Sequence, residues 1–446
     1  MSGGDHPGWG RPLWELLNGE FQTALSEPIE ECIILMAHLT VDLGGRPGHD
    51  CRGFCRYCYF KKVKVEEDPE PFGCRYCLPF SVGCDYCTGF VRERYDGFKD
   101  LRDVADDVLG NLQLIDDDIE RITISGGGDP SCYPDFADLI ELLGAMEVPL
   151  HIGYTSGKGF DDPAIADLLV ENGLTEVSFT IFAANPELRR KWMGDPTPEA
   201  SLAVLGKLCE KIDVYAAAVI LPGVNDGKEL ETTCAWLEER GAKGLILMRF
   251  ANRTDQGLIL GNAPIIEGQR LQTVREFQEM VNDLNSRYSL KISGTPMGDP
   301  TNGSPFAILD EPELMEKLPR VRKKASLISG GIAARYVQDV LDTCGNKSWV
   351  HSVKKEIACL ITLDDLRELD CSQLEKVVII PGRAFVHERQ AEEVLSADGV
   401  QRTVIRGPGM LTADAETSMG MTRGQVLQME MDGFADLIRL INQYGQ

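Results

Sequence analysis

Short apolar runs alternate with amphipathic segments through the first two thirds of the chain. The apolar runs predict strands at 32–41, 121–124, 149–154, 176–182, 213–220 and 244–250, with 291–293 as an additional candidate. The segments between them predict helices at 100–114, 134–146, 163–172, 186–192, 199–211, 229–240 and 269–286. Short strands that alternate with helices are typical of a parallel sheet covered by helices. The first part of the chain is therefore predicted to be an α/β domain.

A turn-rich stretch, Gly294–Gly303, separates this region from the rest of the chain. Beyond it, strand-like runs at 325–328, 356–361, 377–380 and 404–405 alternate with helical patterns at 332–341 and 425–441. The predicted domains are an N-terminal arm at 1–30, a core at 31–304 and a C-terminal α/β domain at 305–446. Two glycine loops in the last domain, Gly330–Gly331 and Arg406–Met410, either hold a ligand or simply turn the chain.

Seven of the fourteen cysteines lie between Cys51 and Cys87. Cys51, Cys55 and Cys58 form the pattern C-x3-C-x2-C, with the aromatic Tyr57 just before the last cysteine. Three thiolates within eight residues cannot all pair as disulfides, but they can surround one metal centre. A 4Fe–4S cluster is normally held by four thiolates, so three would leave one iron open to a non-protein ligand. The alternative is a zinc knuckle, although zinc sites favour C-x2-C pairs.

The second group of cysteines forms two C-x2-C pairs separated by six residues: Cys74, Cys77, Cys84 and Cys87. This spacing predicts a closed site of four thiolates for a single metal ion. Zinc and iron both accept four thiolates, so the metal is either of the two. We interpret the site as a structural staple for residues 61–98, which form a lid over the three-cysteine cluster, because a closed site has no open position for chemistry.

The net charge of the chain and its lack of long apolar runs exclude some classes of binding partner. The chain carries 45 Lys and Arg against 70 Asp and Glu, a formal net charge of −25. Phosphate binding requires a basic surface, so nucleic acid is not an expected partner. No apolar run has the length of a membrane span, and the first residues lack the features of a signal peptide. We expect a soluble cytoplasmic protein, not bound to a membrane, whose clustered cysteines bind metal.

The C-x3-C-x2-C loop resembles the signature of the radical S-adenosylmethionine (SAM) enzymes. The resemblance implies a partial (β/α)6 barrel in which Cys51, Cys55 and Cys58 hold a 4Fe–4S cluster. It also implies that SAM chelates the open iron and that one-electron reduction of SAM gives a 5′-deoxyadenosyl radical. Tyr57 would lie against the adenine of SAM.

Further positions resemble the elements with which this family binds SAM. The turn after the second strand is similar to the family's Gly-Gly-Glu-Pro-like element, which hydrogen-bonds the SAM amino group. Its residues here are Gly126, Gly127, Gly128 and Asp129, so an Asp stands where the acid is usually Glu. Ser156 and Ser178 match the region that contacts the carboxylate and ribose, and Ile220 matches the element that passes the adenine. Each of these positions also has a packing interpretation, and His151 is predicted to be a core residue.

Taken over its whole length, the chain resembles the methanogenesis marker protein 10 family. This resemblance rests on the order of the C-x3-C-x2-C loop, the four-cysteine lid, the core and the C-terminal domain. It implies a cobalamin-dependent radical SAM methyltransferase that acts on the α subunit of methyl-coenzyme M reductase. The implied reaction methylates the δ-carbon of an arginine to give 5-methylarginine, with a low-potential electron donor as a further partner.

The resemblance implies cobalamin, which we expect to bind between the core and the C-terminal domain. This sequence lacks the D-x-H-x2-G element, which implies a binding mode without a histidine lower ligand. Three alternatives remain: a radical SAM peptide-modifying enzyme without cobalamin, a non-enzymatic electron carrier with two iron centres, and a zinc-binding scaffold.

Overall fold

The computed structural model describes residues 37–63, 97–115, 118–259, 261–345 and 348–446. The predicted N-terminal arm and the four lid cysteines Cys74, Cys77, Cys84 and Cys87 lie outside these residues.

The first region contains a parallel sheet of seven strands that are hydrogen-bonded in sequence order. The strands are β1 Ala37–Asp42, β2 Ile119–Ser125, β3 Leu150–Thr155, β4 Leu174–Thr180, β5 Asp213–Ile220, β6 Gly244–Arg249 and β7 Lys291–Thr295. Among the described residues, no pairing joins β1 to β7. The predicted α/β class is confirmed, but the sheet has seven strands where the sequence predicted six and a candidate. The short run that contains Lys291 is a full strand because it pairs with β6 over its whole length.

Helices connect these strands. The longer ones are α1 Leu101–Leu112, α2 Phe136–Gly144, α3 Ile165–Glu171, α4 Pro198–Cys209, α5 Gly227–Glu239 and α6 Val274–Arg287. The helix predicted at 186–192 consists instead of a short turn, Pro186–Leu188, followed by a π-helical turn, Arg189–Met193.

The two faces of this sheet differ because side chains alternate along a strand. One face carries buried apolar residues such as Ile124, Ile152 and Val177, which form one core with apolar residues of the helices such as Leu139. The opposite face, called the inner face here, carries the residues that alternate with these along each strand. It includes the polar residues His151 and Ser178.

The C-terminal region contains a second, four-stranded parallel sheet in the order β11-β10-β8-β9. Its strands are β8 Ser326–Ser329, β9 Trp349–Ser352, β10 Val377–Ile380 and β11 Thr403–Arg406. The longer helices here are α7 Ala334–Thr343, α8 Leu363–Arg367, α9 Glu388–Leu395, α10 Ala415–Met419 and α11 Arg423–Tyr444.

One predicted strand of this region, at 356–361, is wrong. The residues form a loop with a 3-10 turn at Ala358–Leu360, and β9 lies earlier in the chain. The backbone of this loop bonds to other loops: Gly331 N–H donates to Lys355 O at 2.7 Å, and Glu356 N–H donates to Asp255 O at 2.7 Å. The apolar run packs between the two regions instead of joining a sheet.

The C-terminal region covers part of the inner face of the first sheet. Ala415 and Met419 of α10 pack with Ala217 and Ile246 of β5 and β6. Lys291 Nζ donates to the carbonyl oxygens of Ser418 and Met419, at 3.0 and 2.7 Å. Helix α10 therefore closes the inner face near the N-terminal ends of β5 to β7. None of the helices in the described part of the chain is long and apolar enough to cross a membrane.

Candidate metal and SAM site

The loop that follows β1 carries the three cysteines of the C-x3-C-x2-C pattern. Cys51, Cys55 and Cys58 are partly buried free thiols. The backbone reverses at Arg52, whose φ of 52° lies in the left-handed region. Arg56 N–H donates to the carbonyl of Trp192 at 2.7 Å, which fastens the loop to the π-helical turn. The loop thus places three sulfur atoms near the C-terminal ends of the first strands.

The environment of these thiols favours their neutral form when no metal is bound. Burial raises the pKa of Cys51 to about 12 and that of Cys58 to about 11, and burial also raises the pKa of Cys55. A bound metal centre displaces thiol protons, so such thiols become thiolate ligands only when a cationic centre is present. Gly48 N–H already donates to Cys51 Sγ at 3.2 Å, a contact that suits a thiolate acceptor. The donor set therefore fits an iron–sulfur cluster, and the assignment of the three ligands stays a prediction.

No group of three or more His, Cys, Asp or Glu side chains within the described ranges could hold a single metal ion. The predicted four-cysteine site lies in the part of the chain that is not described.

Tyr57 is buried within the cysteine loop. Its ring stacks on Phe182, with 4.9 Å between centroids and 10° between planes. Phe182 adopts a φ of 60°, which is rare for an aromatic residue and turns the chain after β4 towards the loop. The Tyr57 hydroxyl lies in the interior without a hydrogen bond of normal geometry, and burial holds its pKa well above the usual range. The predicted contact of Tyr57 with adenine stays a prediction.

The glycine element after β2 packs tightly against the turn that leads into the cysteine loop. A Cβ on Gly127 would lie 2.4 Å from Gly45 O, and a Cβ on Gly126 would lie 2.6 Å from Gly44 O. The N–H groups of Gly127 and Gly128 both donate to Gly44 O, at 2.8 and 3.2 Å. These glycines are needed for the approach of two backbones, whether or not they also bind SAM.

Asp129 is 6% exposed and fully engaged by protein donors. Its Oδ1 accepts hydrogen bonds from Ser131 N–H at 3.0 Å, Ser131 Oγ at 2.7 Å and Thr155 Oγ1 at 2.7 Å. Its Oδ2 accepts from Ser156 N–H at 2.8 Å and from Ser156 Oγ. The carboxylate therefore ties the end of β2 to the end of β3, which gives Asp129 a structural role that the sequence did not reveal.

The remaining predicted SAM contacts lie in different environments. Ser156 is held by Asp129, while Ser178 lies on the inner face of β4 between Tyr154 and Tyr215 of the neighbouring strands. The Ile220 side chain is fully buried in the core between the sheet and the helices. The whole residue is 0% exposed, and its predicted contact with adenine stays a prediction.

Two buried cations near the cysteine loop escaped the sequence analysis. Arg189 pairs with Asp195 at 2.7 Å and donates to the carbonyl of Ser156 at 2.8 Å. Lys158 donates from Nζ to the carbonyls of Gly53, at 2.7 Å, and Met193, at 3.1 Å. The sequence did contain a signal for Lys158, because this lysine lies between two glycines shortly after the strand β3.

The inner face of the first sheet also carries titratable side chains. His151, predicted as a core residue, is largely buried on this face, with Nδ1 3.3 Å from Thr123 Oγ1 and Nε2 3.4 Å from Glu176 Oε1. Burial lowers the pKa of His151 to about 4, so the ring is neutral near pH 7. Burial and the nearby Glu416 carboxylate of α10 raise the pKa of Tyr154. Core and C-terminal region thus share one polar inner wall.

Residues 46–237 match the model of the Radical SAM superfamily. The chain therefore contains a radical SAM domain, which indicates an enzyme and implies a 4Fe–4S cluster and SAM as its cofactors. No curated protein matches the chain.

Solved structures with a similar fold include SuiB from Streptococcus suis bound to precursor peptide SuiA, at 14% identity and a TM-score of 0.38 over 62% of this chain and 52% of that chain. A radical SAM methyltransferase from Sphaerobacter thermophilus aligns at 15% identity and a TM-score of 0.32, covering 46% of this chain and 61% of that chain. Methylornithine synthase (PylB) aligns at 13% identity and a TM-score of 0.32, covering 82% of this chain and 84% of that chain.

The alignments with the three SuiB structures span about half of the length of SuiB. Similarity at these levels does not extend to substrate or activity.

Proposed function

We propose that this radical SAM protein is a cobalamin-dependent methyltransferase that methylates an arginine δ-carbon in the α subunit of methyl-coenzyme M reductase. The resemblance of the whole chain to methanogenesis marker protein 10 motivates this specific reaction. The structural observation that supports it is the pair of acidic residues on and beside α10, Glu416 and Asp414, next to Tyr154 of β3.

An arginine side chain that enters the inner face needs an anionic partner, because a guanidinium remains charged in proteins. Burial raises the pKa of Glu416, and the charge of Asp414 raises it further. Glu176, further along the inner face, already has a cationic partner, because Arg121 lies 3.4 Å away. An arriving cation would relieve the repulsion between Glu416 and Asp414, so the surroundings of Glu416 favour a cationic side chain over a neutral one.

The reaction class follows from the target carbon. A carbon bonded to a guanidinium nitrogen is not acidic, so a general base cannot activate it and the side chains of the inner wall serve to bind and orient. When bound by Cys51, Cys55 and Cys58, a reduced cluster supplies the electron that cleaves SAM. The protein then has to hold the arginine carbon towards the cysteine loop, with Glu416 and Tyr154 as the orienting pair.

Cobalamin, the proposed methyl donor, has no assigned contacts. In the first candidate glycine loop, a Cβ on Gly330 would lie 2.6 Å from Ala358 N, so the chain itself occupies that space. In the second, a Cβ on Gly407 would lie 3.3 Å from Ile380 O, whereas a Cβ on Gly409 would meet nothing within 4 Å. We assign the corrinoid no residues in either loop.

The test uses the full chain, reconstituted anaerobically with iron and sulfide. It is incubated with SAM, methylcobalamin, a low-potential reductant and an arginine-containing peptide from the reductase α subunit. Mass spectrometry measures a methyl gain on arginine together with 5′-deoxyadenosine. We expect both products, and we expect both to be lost in Cys55→Ala. The matched control is Cys371→Ala, which removes a partly buried thiol far from the cysteine loop and should leave both products unchanged.

Glu416→Gln separates substrate binding from radical formation. Because Glu416 is proposed to hold the guanidinium, this variant should still produce 5′-deoxyadenosine while methylation falls at least about tenfold, the effect of about 1.4 kcal/mol. Deoxyadenosine without any methylated arginine in the unmodified protein would refute the arginine methyltransferase and leave a different radical SAM activity.

A further inference from the structure

Lys158 is a buried cation that reaches into the cysteine loop. It follows β3 in a turn between two glycines, and its side chain is 1% exposed. Its Nζ donates to the carbonyl of Gly53 at 2.7 Å, and Gly53 lies between Cys51 and Cys55. A second bond, to Met193 O at 3.1 Å, joins the same ammonium to the end of the π-helical turn.

Lys158 forms no ion pair with any residue that the structure describes. The acids around it are engaged elsewhere. Asp129 accepts five hydrogen bonds from serine and threonine donors. Asp161 pairs with Arg52 at 2.7 Å, and Asp195 pairs with Arg189 at 2.7 Å. Two carbonyl oxygens therefore solvate an ammonium group whose charge has no counterion among the described side chains.

A buried charge without a counterion costs several kcal/mol, so its presence indicates that an anionic group belongs beside it. The negative charge of three thiolates exceeds the positive charge of an oxidised 4Fe–4S core, so the ligated cluster has a net negative charge. One-electron reduction adds a further negative charge. The Lys158 ammonium lies within the cysteine loop itself, because the carbonyl it binds at 2.7 Å belongs to Gly53, two residues from both Cys51 and Cys55.

We propose that Lys158 is a positioning residue that balances the charge of the iron–sulfur centre and favours its reduced state. Its hydrogen bond to Gly53 holds the cysteine loop in place, and its fixed positive charge stabilises the added electron. The proposal rests on the assignment of the cluster to Cys51, Cys55 and Cys58. It is independent of the arginine substrate and of cobalamin.

The experiment compares Lys158→Met, Lys158→Gln and Lys158→Arg with the unmodified chain after anaerobic reconstitution. Met and Gln remove the charge, Gln retains a donor for Gly53 O, and Arg retains the charge. Iron and sulfide are quantified per chain, and a redox titration without SAM, followed by EPR, gives the midpoint potential. The matched control is Lys243→Met, since Lys243 is exposed and lies just before β6, at the opposite end of the sheet.

We expect the two charge-free variants to show about a tenfold lower ratio of reduced to oxidised cluster at a fixed potential. That change equals a shift of about 59 mV for a one-electron couple. Lys158→Arg and Lys243→Met should titrate like the unmodified chain. If Lys158→Met does not bind the cluster, the midpoint potential of Lys158→Gln tests the proposal, because glutamine keeps a donor for Gly53 O.

A Lys158→Gln protein that loads its cluster and titrates like the unmodified chain would overturn the proposal. If both charge-free variants fold with unchanged thermal midpoints but bind no cluster, the charge is required for the centre and the proposal stands. If both lose the fold of the metal-free protein, Lys158 is only structural and the proposal fails. None of these readouts requires a peptide or methyl transfer, so a failure of the arginine reaction remains separate.

Discussion

At the scale of single residues, Asp129 shows how a motif position can take a structural role. Its five hydrogen bonds come from the residues just after β2 and from the end of β3, and none of its oxygen atoms is left without a protein donor. A glutamate, which is longer by one methylene, would not fit between Thr155 and Ser156 without moving them. The departure of this chain from Glu at this position is therefore matched by the donors that surround it.

We predict that Asp129→Asn destabilises the protein although the two side chains have the same shape. Its amide nitrogen would face a donor, either Ser156 N–H or the Ser131 and Thr155 groups, so at least one buried bond is lost. The expected cost is about 2–4 kcal/mol of unfolding free energy, because hydrogen bonds to a charged group are lost in the interior. Thermal unfolding monitored by circular dichroism measures it.

The control is Asp135→Asn, at the exposed N-cap of α2, where the side chain makes no capping hydrogen bond. This substitution should leave the midpoint nearly unchanged. Equal midpoints for Asp129→Asn and the unmodified chain would show that the Asp129 hydrogen bonds contribute little to stability.

The sequence located the residues near the cysteine loop but not the bonds between them. Lys158 and Gly53 are 105 positions apart, and no local pattern links a lysine after β3 to a carbonyl after β1. The sequence predicted His151 as a core residue, and its side chain is indeed only 12% exposed. It did not reveal that the histidine lies beside Glu176, because that contact depends on the pairing of β3 with β4.

At the scale of secondary structure elements, the first sheet depends on a backbone contact between two turns. Gly44 and Gly45 follow β1, Gly126 and Gly127 follow β2, and their approach leaves no room for a Cβ. Since the first turn leads directly into the cysteine loop, the spacing between these turns fixes where that loop begins.

We predict that Gly127→Ala destabilises the protein by about 1–3 kcal/mol, because the new methyl group would overlap Gly45 O and force the turns apart. The loss of packing should also lower the amount of cluster bound after reconstitution. Iron content and the thermal midpoint of the metal-free protein measure the two effects.

Gly110→Ala is the matched control, since a Cβ on this exposed residue of α1 would meet nothing within 4 Å. Here alanine should stabilise the helix by up to about 1 kcal/mol, the difference in helix propensity. The two identical substitutions should thus shift the midpoint in opposite directions. A shift of the same sign for both would contradict the role of the turn contact.

Elements with a clear periodicity were predicted well, and short ones were not. The run at 213–220 is strand β5 with identical bounds, because eight largely apolar residues leave no alternative. The run at 356–361 is equally apolar but its backbone bonds to loops, a tertiary contact that periodicity does not encode. Strand β9 was missed because its four residues include His351 and Ser352 and none of the four is buried.

At the scale of the whole molecule, the sheet extends beyond the stretch that matches the superfamily model. Residues 46–237 include β2 to β5, while β1, β6 and β7 lie outside that match. Helix α10, which comes more than a hundred residues after β7, covers the inner face next to β5 and β6. The two regions therefore pack against each other at the inner face, a contact that the order of elements along the chain did not reveal.

We predict that Met419→Ala loosens this contact, because the Met419 side chain is 5% exposed and fills the space above Gly244. The expected cost is about 2–4 kcal/mol, typical of a large-to-small substitution in a core. Hydrogen exchange measured by mass spectrometry should report faster exchange in residues 413–421.

Met421→Ala, two residues further on, is the control, because that side chain is only half-buried. Its effect on exchange should be less than half as large. If exchange in residues 413–421 does not change in Met419→Ala, the packing of α10 does not depend on this side chain.

The packing of α10 on the first sheet also limits where this chain can be recombined with related chains. A crossover at the turn-rich boundary near residue 304 would separate the first sheet from the helix that packs on its inner face, although the boundary lies between two sheets. A chimera built there would combine the sheet of one parent with an α10 that evolved against another parent's sheet. Grafting this sheet onto a different C-terminal region therefore requires that residues 413–421 travel with it, or that the space left by Met419 be refilled.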